Sequence, residues 1–336
     1  MTSSGSWSAP VDLGQRRILI TGGTGFVGRG LLDYLAECVD THGANFEVVV
    51  LSRDPGTFLR RHAAYASHPW LTFQAGDVDH LDKAFAVRAG RFSDVIHAAS
   101  EARSTGDPVD WMRQIVQGTQ QSLQFATEAG VRRYLLASSG AVYGPQPQGL
   151  ARIPEDHPGA PSPQHASSAY GQAKRLAEQL CTAFSNRHGL ETVAARYFAL
   201  VGPHVPLDGA FAIGNFIRDA LSGAPIKVAS DGTAVRSYLY GRDYAHWTFT
   251  LLTQGAKGEA YNVGSDAGIS IADLARRVAA CLSPGSAVHL AHASPPGSER
   301  SLYVPDISKA ATLGLRVETS LEDAIRLSAA ARSISQ

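Results

Sequence analysis

The 336-residue sequence predicts an α/β fold: a doubly wound parallel sheet followed by a smaller C-terminal α/β lobe. Three observations carry that expectation. Short apolar runs alternate with helical patterns through the first two thirds of the chain, as βαβ units require. The runs are nearly continuous rather than alternating, as expected for strands covered on both faces. A glycine cluster follows the first run at once and opens a helical pattern.

The first strand is RILIT at 17–21, with Gly22, Gly23, Gly25 and Gly28 behind it and apolar residues at helical spacing from Val27 to Leu35. FEVVVL at 46–51 gives the second strand, 71–74 the third, SDVIHA at 93–98 the fourth and RYLLAS at 133–138 the fifth. Helical stretches are expected over 83–88, 107–129 and 169–188, and a sixth strand over 192–198. A Pro/Gly-rich loop fills 144–163. Beyond Gly202 the segments shorten: a helix at 212–221, a strand at 226–229, a turn at Asp231-Gly232, a strand at 237–240, then helices at 243–253 and 271–281. At roughly 150 residues per domain, the length suits two lobes. The expected division is a loose leader over 1–15, a first domain over 16–202 and a second lobe over 203–336, with the chain free to cross back.

Composition excludes several classes. Thirty Lys+Arg balance thirty Asp+Glu, so no field draws the chain to nucleic acid or an anionic membrane. Hydrophobic residues at 44% and charged residues at 18% fit a packed globule rather than a disordered chain. No apolar run reaches the ~18 residues of a spanning helix. The Ser/Gly/Pro-rich start lacks the basic and apolar regions of a secretion signal, so a cytoplasmic location is expected. Three scattered cysteines, Cys38, Cys181 and Cys281, read as small buried hydrophobes, and no metal site is expected.

The cluster Thr21-Gly22-Gly23-Thr24-Gly25-Phe26-Val27-Gly28 lies between strand and helix, the context of a dinucleotide-binding turn. Gly22 gives the tight turn, Gly25 admits a pyrophosphate to the backbone, and Gly28 lets the helix pack on the sheet. The second strand ends Leu51-Ser52-Arg53 with no carboxylate to receive a ribose diol. Arg53 with Ser52 suits the 2′-phosphate of NADP(H), which is favoured here over NAD(H).

Tyr170 and Lys174 stand four apart on a helix, hence on one face. A phenol is a poor base near neutral pH unless a neighbouring cation favours its ionised form. Ser138 and Ser139, ending the fifth strand, offer a hydroxyl to polarise a substrate oxygen.

These segments together resemble the extended short-chain dehydrogenases/reductases, in their nucleotide-sugar epimerase/dehydratase family. The shared pieces are TGGTGFVG at 21–28, GDV at 76–78, HAA at 97–99, Asp107-Pro108, Gly118-Thr119, SSGAVYG at 138–144, YGQAK at 170–174 and RYFALVGP at 196–203. Further on come Asp231-Gly232-Thr233 with Arg236, YNVG at 261–264, Arg300 and DISKA at 306–310. The resemblance spans about residues 16–330. It implies a Rossmann-type NAD(P)-binding domain and a lobe for a nucleoside-diphosphate sugar. It assigns cofactor contacts to Gly22, Thr24, Gly25, Phe26, Val27, Gly28, Ser52, Arg53, Asp77, Val78, Ala98, Ala99, Tyr170 and Lys174. Ser139, Tyr170 and Lys174 become catalytic residues. Ser139, Asn215, Arg236 and Arg300 become substrate contacts, the arginines for a diphosphate. The helices at 107–129 and 169–188 are similar to the pair through which this family forms homodimers.

The departures shape the expected chemistry. Members that eliminate water or decarboxylate carry an acid just after the catalytic hydroxyl residue, where this chain reads Ser139-Gly140-Ala141. Hydride transfer at C4 of the sugar remains. The first expectation is an NADPH-consuming 4-keto-sugar reductase and the alternative a 4-epimerase with tightly held NAD; a 4,6-dehydratase ranks below both. Gln114 and Ala199, where the resemblance gives Asn, motivate a reading from another class, a non-catalytic NADP(H)-binding sensor.

Overall fold

The computed structural model describes residues 7–43, 45–81, 85, 90–99, 107–292 and 300–333. Its centre is a seven-stranded, all-parallel sheet. In chain order the strands are β1 (Arg17–Thr21), β2 (Glu47–Ser52), β3 (Leu71–Ala75), β4 (Asp94–His97), β5 (Arg133–Ser139), β6 (Glu191–Tyr197) and, from later in the chain, Ala260–Val263. Across the sheet the order is 3-2-1-4-5-6, with the late strand outside β6. This is the expected doubly wound sheet, and its order reverses between β1 and β4.

The apolar runs serve two cores at once. Ile18, Ile20, Val48, Val50, Leu135 and Ala137 join one buried cluster; their chain neighbours Leu19, Val49, Leu51, Tyr134 and Leu136 join the other. Side chains alternate across a strand, so continuous apolar sequence is what a sheet covered on both sides needs. Helix α1 (Phe26–His42) covers the first face together with Gly241–Gln254. On the second lie Pro108–Glu128 and Ala169–His188. Each fully buried leucine or isoleucine contributes about 1.5–3 kcal/mol by leaving water. Of the cysteines, Cys38 and Cys181 are buried in these cores and Cys281 is half-buried.

In chain order the helices are α1, α2 (Pro55–Arg61), α3 (Pro108–Glu128), α4 (Ala169–His188), α5 (Ala212–Leu221), α6 (Gly241–Gln254), α7 (Ile271–Leu282), α8 (Ser308–Ala311) and α9 (Leu321–Ser333). The remaining strands are β7 (Ala199–Val201), β8 (Ile226–Val228), β9 (Val235–Arg236), β10 (Tyr238–Tyr240), β11 (Ala260–Val263), β12 (Ile269–Ser270), β13 (Val288–Leu290) and β14 (Leu302–Tyr303). A third core forms where Phe216 and Ile217 of α5, Leu274 and Val278 of α7 and Ile325 of α9 meet Ile226 and Val228. Two later elements also join the seven-stranded sheet: α6 packs on one face and β11 pairs with β6. The helix expected over 83–88 lies outside the described residues except for Phe85, which is helical and buried.

Part of the stretch expected as a loose leader is docked. Leu13 is buried, and the Val11 N–H donates to the Tyr34 hydroxyl at 2.9 Å. Ser8 bonds the Glu318 carboxylate, and Arg242 of α6 donates to the Ser8 carbonyl at 2.9 Å. These polar and apolar contacts tie 8–13 to α1 and α6. Among the described residues no helix is long and apolar enough to cross a membrane.

Candidate active site

The carboxyl ends of the sheet strands open into a cleft of about 1760 Å3. In one arm lies the glycine turn. Gly22 adopts φ +74°, and a Cβ there would stand 2.6 Å from the Ala98 carbonyl carbon and the Ala99 nitrogen. At Gly28 a Cβ would meet the Gly22 oxygen at 2.3 Å, so α1 packs against its own entry turn only because both positions lack side chains. No side chain caps α1; its N-cap is Gly25, which leaves the first N–H groups facing a ligand rather than a protein acceptor. Gly22, Thr24, Gly25, Phe26, Val27 and Gly28 all line the cleft. So do Ser52, Arg53, Asp77, Val78, Ala98 and Ala99. A tight turn that only glycines allow, with the uncapped N–H groups of α1 beside the cleft, fits a dinucleotide.

Asp54, the acid nearest the end of β2, is used elsewhere: its Oδ1 accepts the Thr57 N–H at 2.9 Å and caps α2. Arg61, at the end of α2, lines the same arm as Arg53. Helix position rather than any motif brings it there, so the sequence carries no local signal for it.

His97 was likewise noted only as part of a motif. It is fully enclosed beneath Ala98-Ala99, and burial, with the Lys174 charge beside it, pushes its imidazole down to about 3. The ring is therefore neutral near pH 7. The Thr21 hydroxyl accepts the Ala99 N–H at 3.3 Å and shares a hydrogen bond with His97 Nδ1 at 2.8 Å. That chain holds the turn on which the floor of the cleft rests.

At the middle of the cleft β5 ends and α4 begins. Ser139, Tyr170 and Lys174 line it together. The Ser139 Oγ accepts the Ala141 N–H at 3.2 Å, which leaves the hydroxyl proton available to a ligand. Lys174 is buried and donates one N–H to the Ala137 carbonyl at 2.8 Å; its nitrogen stands 5.8 Å from the centroid of the Tyr170 ring. An ammonium has three donors, so others remain for the cleft. Behind them Glu178, one turn beyond Lys174, receives the Ser138 hydroxyl and the Arg196 guanidinium (2.8 Å). That ion pair fixes α4 against β5 and β6. Nothing in the sequence pattern marked Glu178.

Gly140 has no space for a side chain. A Cβ there would lie 2.6 Å from the Tyr303 hydroxyl and 2.8 Å from the Phe198 ring. Tyr303 stacks on Phe198 with centroids 4.5 Å apart and also lies under the Arg236 guanidinium at 5.7 Å. Its ring thus forms a wall between the residue after Ser139 and Arg236, another contact with no sequence signal.

The other arm ends at Arg236, which lines the cleft and donates to the backbone carbonyls of Val235 (2.8 Å) and Ser301 (3.0 Å). Burial lowers its pKa from the ordinary value, and among the described residues it has no carboxylate in salt-bridge range. Two expected substrate residues are not in the lining. The Asn215 amide turns to the Gly209 carbonyl at 3.0 Å, and its buried Oδ1 has no partner. Arg300 is exposed, with its carbonyl accepting from Gln148 at 3.2 Å.

Comparison with known proteins agrees with this geometry. Residues 18–264 match the model of the NAD-dependent epimerase/dehydratase family. UDP-glucuronic acid decarboxylase 3 of Arabidopsis thaliana is 30% identical, over 93% of this chain and 87% of that protein. Among solved structures, the NAD complex of Thermus thermophilus UDP-glucose 4-epimerase is 26% identical with a TM-score of 0.77, over 94% of this chain and 98% of that one. A double mutant of the Streptomyces venezuelae dTDP-glucose 4,6-dehydratase is also 26% identical, with a TM-score of 0.78, over 94% and 97% of the two chains.

Proposed function

The chain belongs to the NAD-dependent epimerase/dehydratase family, the extended branch of the short-chain dehydrogenases/reductases, and from that premise we propose that it is an NADP(H)-dependent oxidoreductase that reduces the 4-keto group of a nucleoside-diphosphate sugar. The observation that carries this reading is the meeting of Ser139, Tyr170 and Lys174 in one cleft with the glycine turn. The substrate class is supported by the relatives, which are named for UDP-glucuronic acid, UDP-glucose and dTDP-glucose. Arg236, which has no carboxylate in salt-bridge range among the described residues, suits their diphosphate.

Bound NADPH supplies the hydride. Tyr170 gives its hydroxyl proton to the C4 oxygen, so the ketone gains a hydride on carbon and a proton on oxygen and leaves as an alcohol. Lys174, its charge beside the ring, stabilises the negative charge that develops on the Tyr170 oxygen as the proton leaves. Ser139 donates its free hydroxyl proton to the same oxygen and polarises the carbonyl. No base stands at 140, where Tyr303 and Phe198 exclude a side chain, and Ala141 offers only a methyl group. Proton removal at C5, which elimination and decarboxylation need, therefore has no carboxylate at the positions after Ser139. Exchange of the cofactor is supported by Arg53 and Arg61 at the adenosine arm, with Asp54 committed to its cap.

A 4-epimerase that keeps NAD is the second reading, and the NAD-bound Thermus epimerase favours it. The two differ in stoichiometry. With an enzymatically prepared NDP-4-keto-6-deoxyhexose, the reductase consumes one NADPH per alcohol formed. Redox-neutral inversion of an NDP-4-hydroxyhexose by protein carrying NAD would establish the epimerase instead. A Tyr170→Phe variant equal to wild type in both assays would leave only a binding module. The partly exposed Val109 and Met112 of α3 and Leu176 of α4 support a homodimer through these helices.

A further inference from the structure

We propose that Arg29 is a ligand for a phosphate of the dinucleotide, a contact that lies outside both the glycine turn and the end of β2. The proposal rests on the cofactor reading above. Arg29 sits one turn into α1 and lines the cleft beside Phe26 and Gly25. Its Nε is fully buried and accepted by nothing, and among the described residues the guanidinium has no ion pair. Burial accordingly lowers its pKa from the ordinary value.

The groups around it offset its charge through space only in part, and none among the described residues hydrogen-bonds it. Asp33, one turn further along α1, is the nearby carboxylate, but its two oxygens take the Tyr65 hydroxyl and His204 Nε2, each at 2.7 Å. Arg332 of α9 and His62 add positive or neutral groups, and the Tyr65 and Tyr244 hydroxyls complete the surroundings. A half-buried guanidinium whose Nε is buried and unbonded is stabilised further when an anion arrives. The open side of Arg29 is the cleft, where the uncapped start of α1 already favours negative charge. Two phosphate groups of the cofactor meet that description: the pyrophosphate at the glycine turn, and the 2′-phosphate between Arg53 and Arg61.

Equilibrium titration of the whole protein with NADPH and with NADH, read by nicotinamide fluorescence, tests this in wild type, Arg29→Met and Arg29→Lys. The methionine variant should bind NADPH at least tenfold more weakly, with lysine in between. The ligand-free melting temperature of Arg29→Met should not fall, because a buried, unbonded Nε has been removed and no hydrogen bond is lost. Equal losses for NADPH and NADH assign the pyrophosphate; a loss confined to NADPH assigns the 2′-phosphate. Unchanged affinity, or a loss that accompanies a lower ligand-free melting temperature, overturns the proposal, since Arg29 then serves only packing between α1 and α9. Wild type that binds neither nucleotide removes the cofactor reading itself, and this proposal with it.

Discussion

At the cofactor arm, six residues of the stretch 22–28 line the cleft, and the neighbouring ends of β2 and β4 add Ser52, Arg53, Ala98 and Ala99. At the substrate arm, Arg236 and Tyr303 come from β9 and β14, strands of two residues each, brought together from positions 67 apart in the chain. The first arm is backbone locked against backbone inside the sheet. The second is side chain against side chain: Tyr303 on Phe198, Arg236 over Tyr303. Substitutions at the first should therefore cost fold and binding together, whereas those at the second should cost binding of one ligand and spare the other.

The largest effect belongs to Gly22→Val. It places a branched side chain at φ +74° into the Ala98-Ala99 backbone. Strain and overlap together should cost about 3 kcal/mol or more and abolish NADPH binding, read by thermal melting and titration. Gly140→Leu, its counterpart at the other arm, meets side chains that can move. It should cost about 1–3 kcal/mol and weaken the sugar nucleotide at least tenfold with NADPH affinity unchanged. Equal loss of both ligands would erase the contrast between the arms.

Arg53→Asp sharpens the comparison within the cofactor arm. Losing a charge-assisted bond worth about 1.5–3 kcal/mol should weaken NADPH by roughly ten- to a hundredfold while NADH is held or improved. A more gradual effect, spread over several pH units, concerns His97, buried at the floor of that arm. Its folded pKa of about 3 lies below the 6.5 of the unfolded chain. Unfolding therefore takes up a proton between those values, and stability falls as pH drops from about 6.5 toward 3. The loss is at most about 1.4 kcal/mol per pH unit from this group. A His97→Asn variant should show a flatter decline in melting temperature over that window.

The contrast also explains what the sequence made legible. Helix α4, expected over 169–188, has those limits in the structure, because a Gly C-cap and a continuous helical pattern mark them locally. The glycine turn was equally clear, since its geometry is dictated within eight residues. Strands β9, β12 and β14 were not, because two residues carry no period to read. β11 was seen as a motif and not as a strand; its place beside β6 depends on pairing across more than sixty residues. For the same reason Glu178, Tyr303 and Arg61 gave no signal, as each acts through residues distant in the chain. Asn215 and Arg300 rested on resemblance alone, and neither lines the cleft.

The central claim is hydride transfer to C4 with Tyr170 as proton donor. NADPH carrying deuterium at the transferred C4 position, mixed with an NDP-4-keto-6-deoxyhexose and followed by NMR of the product sugar, tests it most directly. The account predicts one deuterium at sugar C4 per NADPH oxidised, and at least a hundredfold slower incorporation with Tyr170→Phe. Product formed without deuterium at C4, or incorporation as fast in the variant as in wild type, would contradict it.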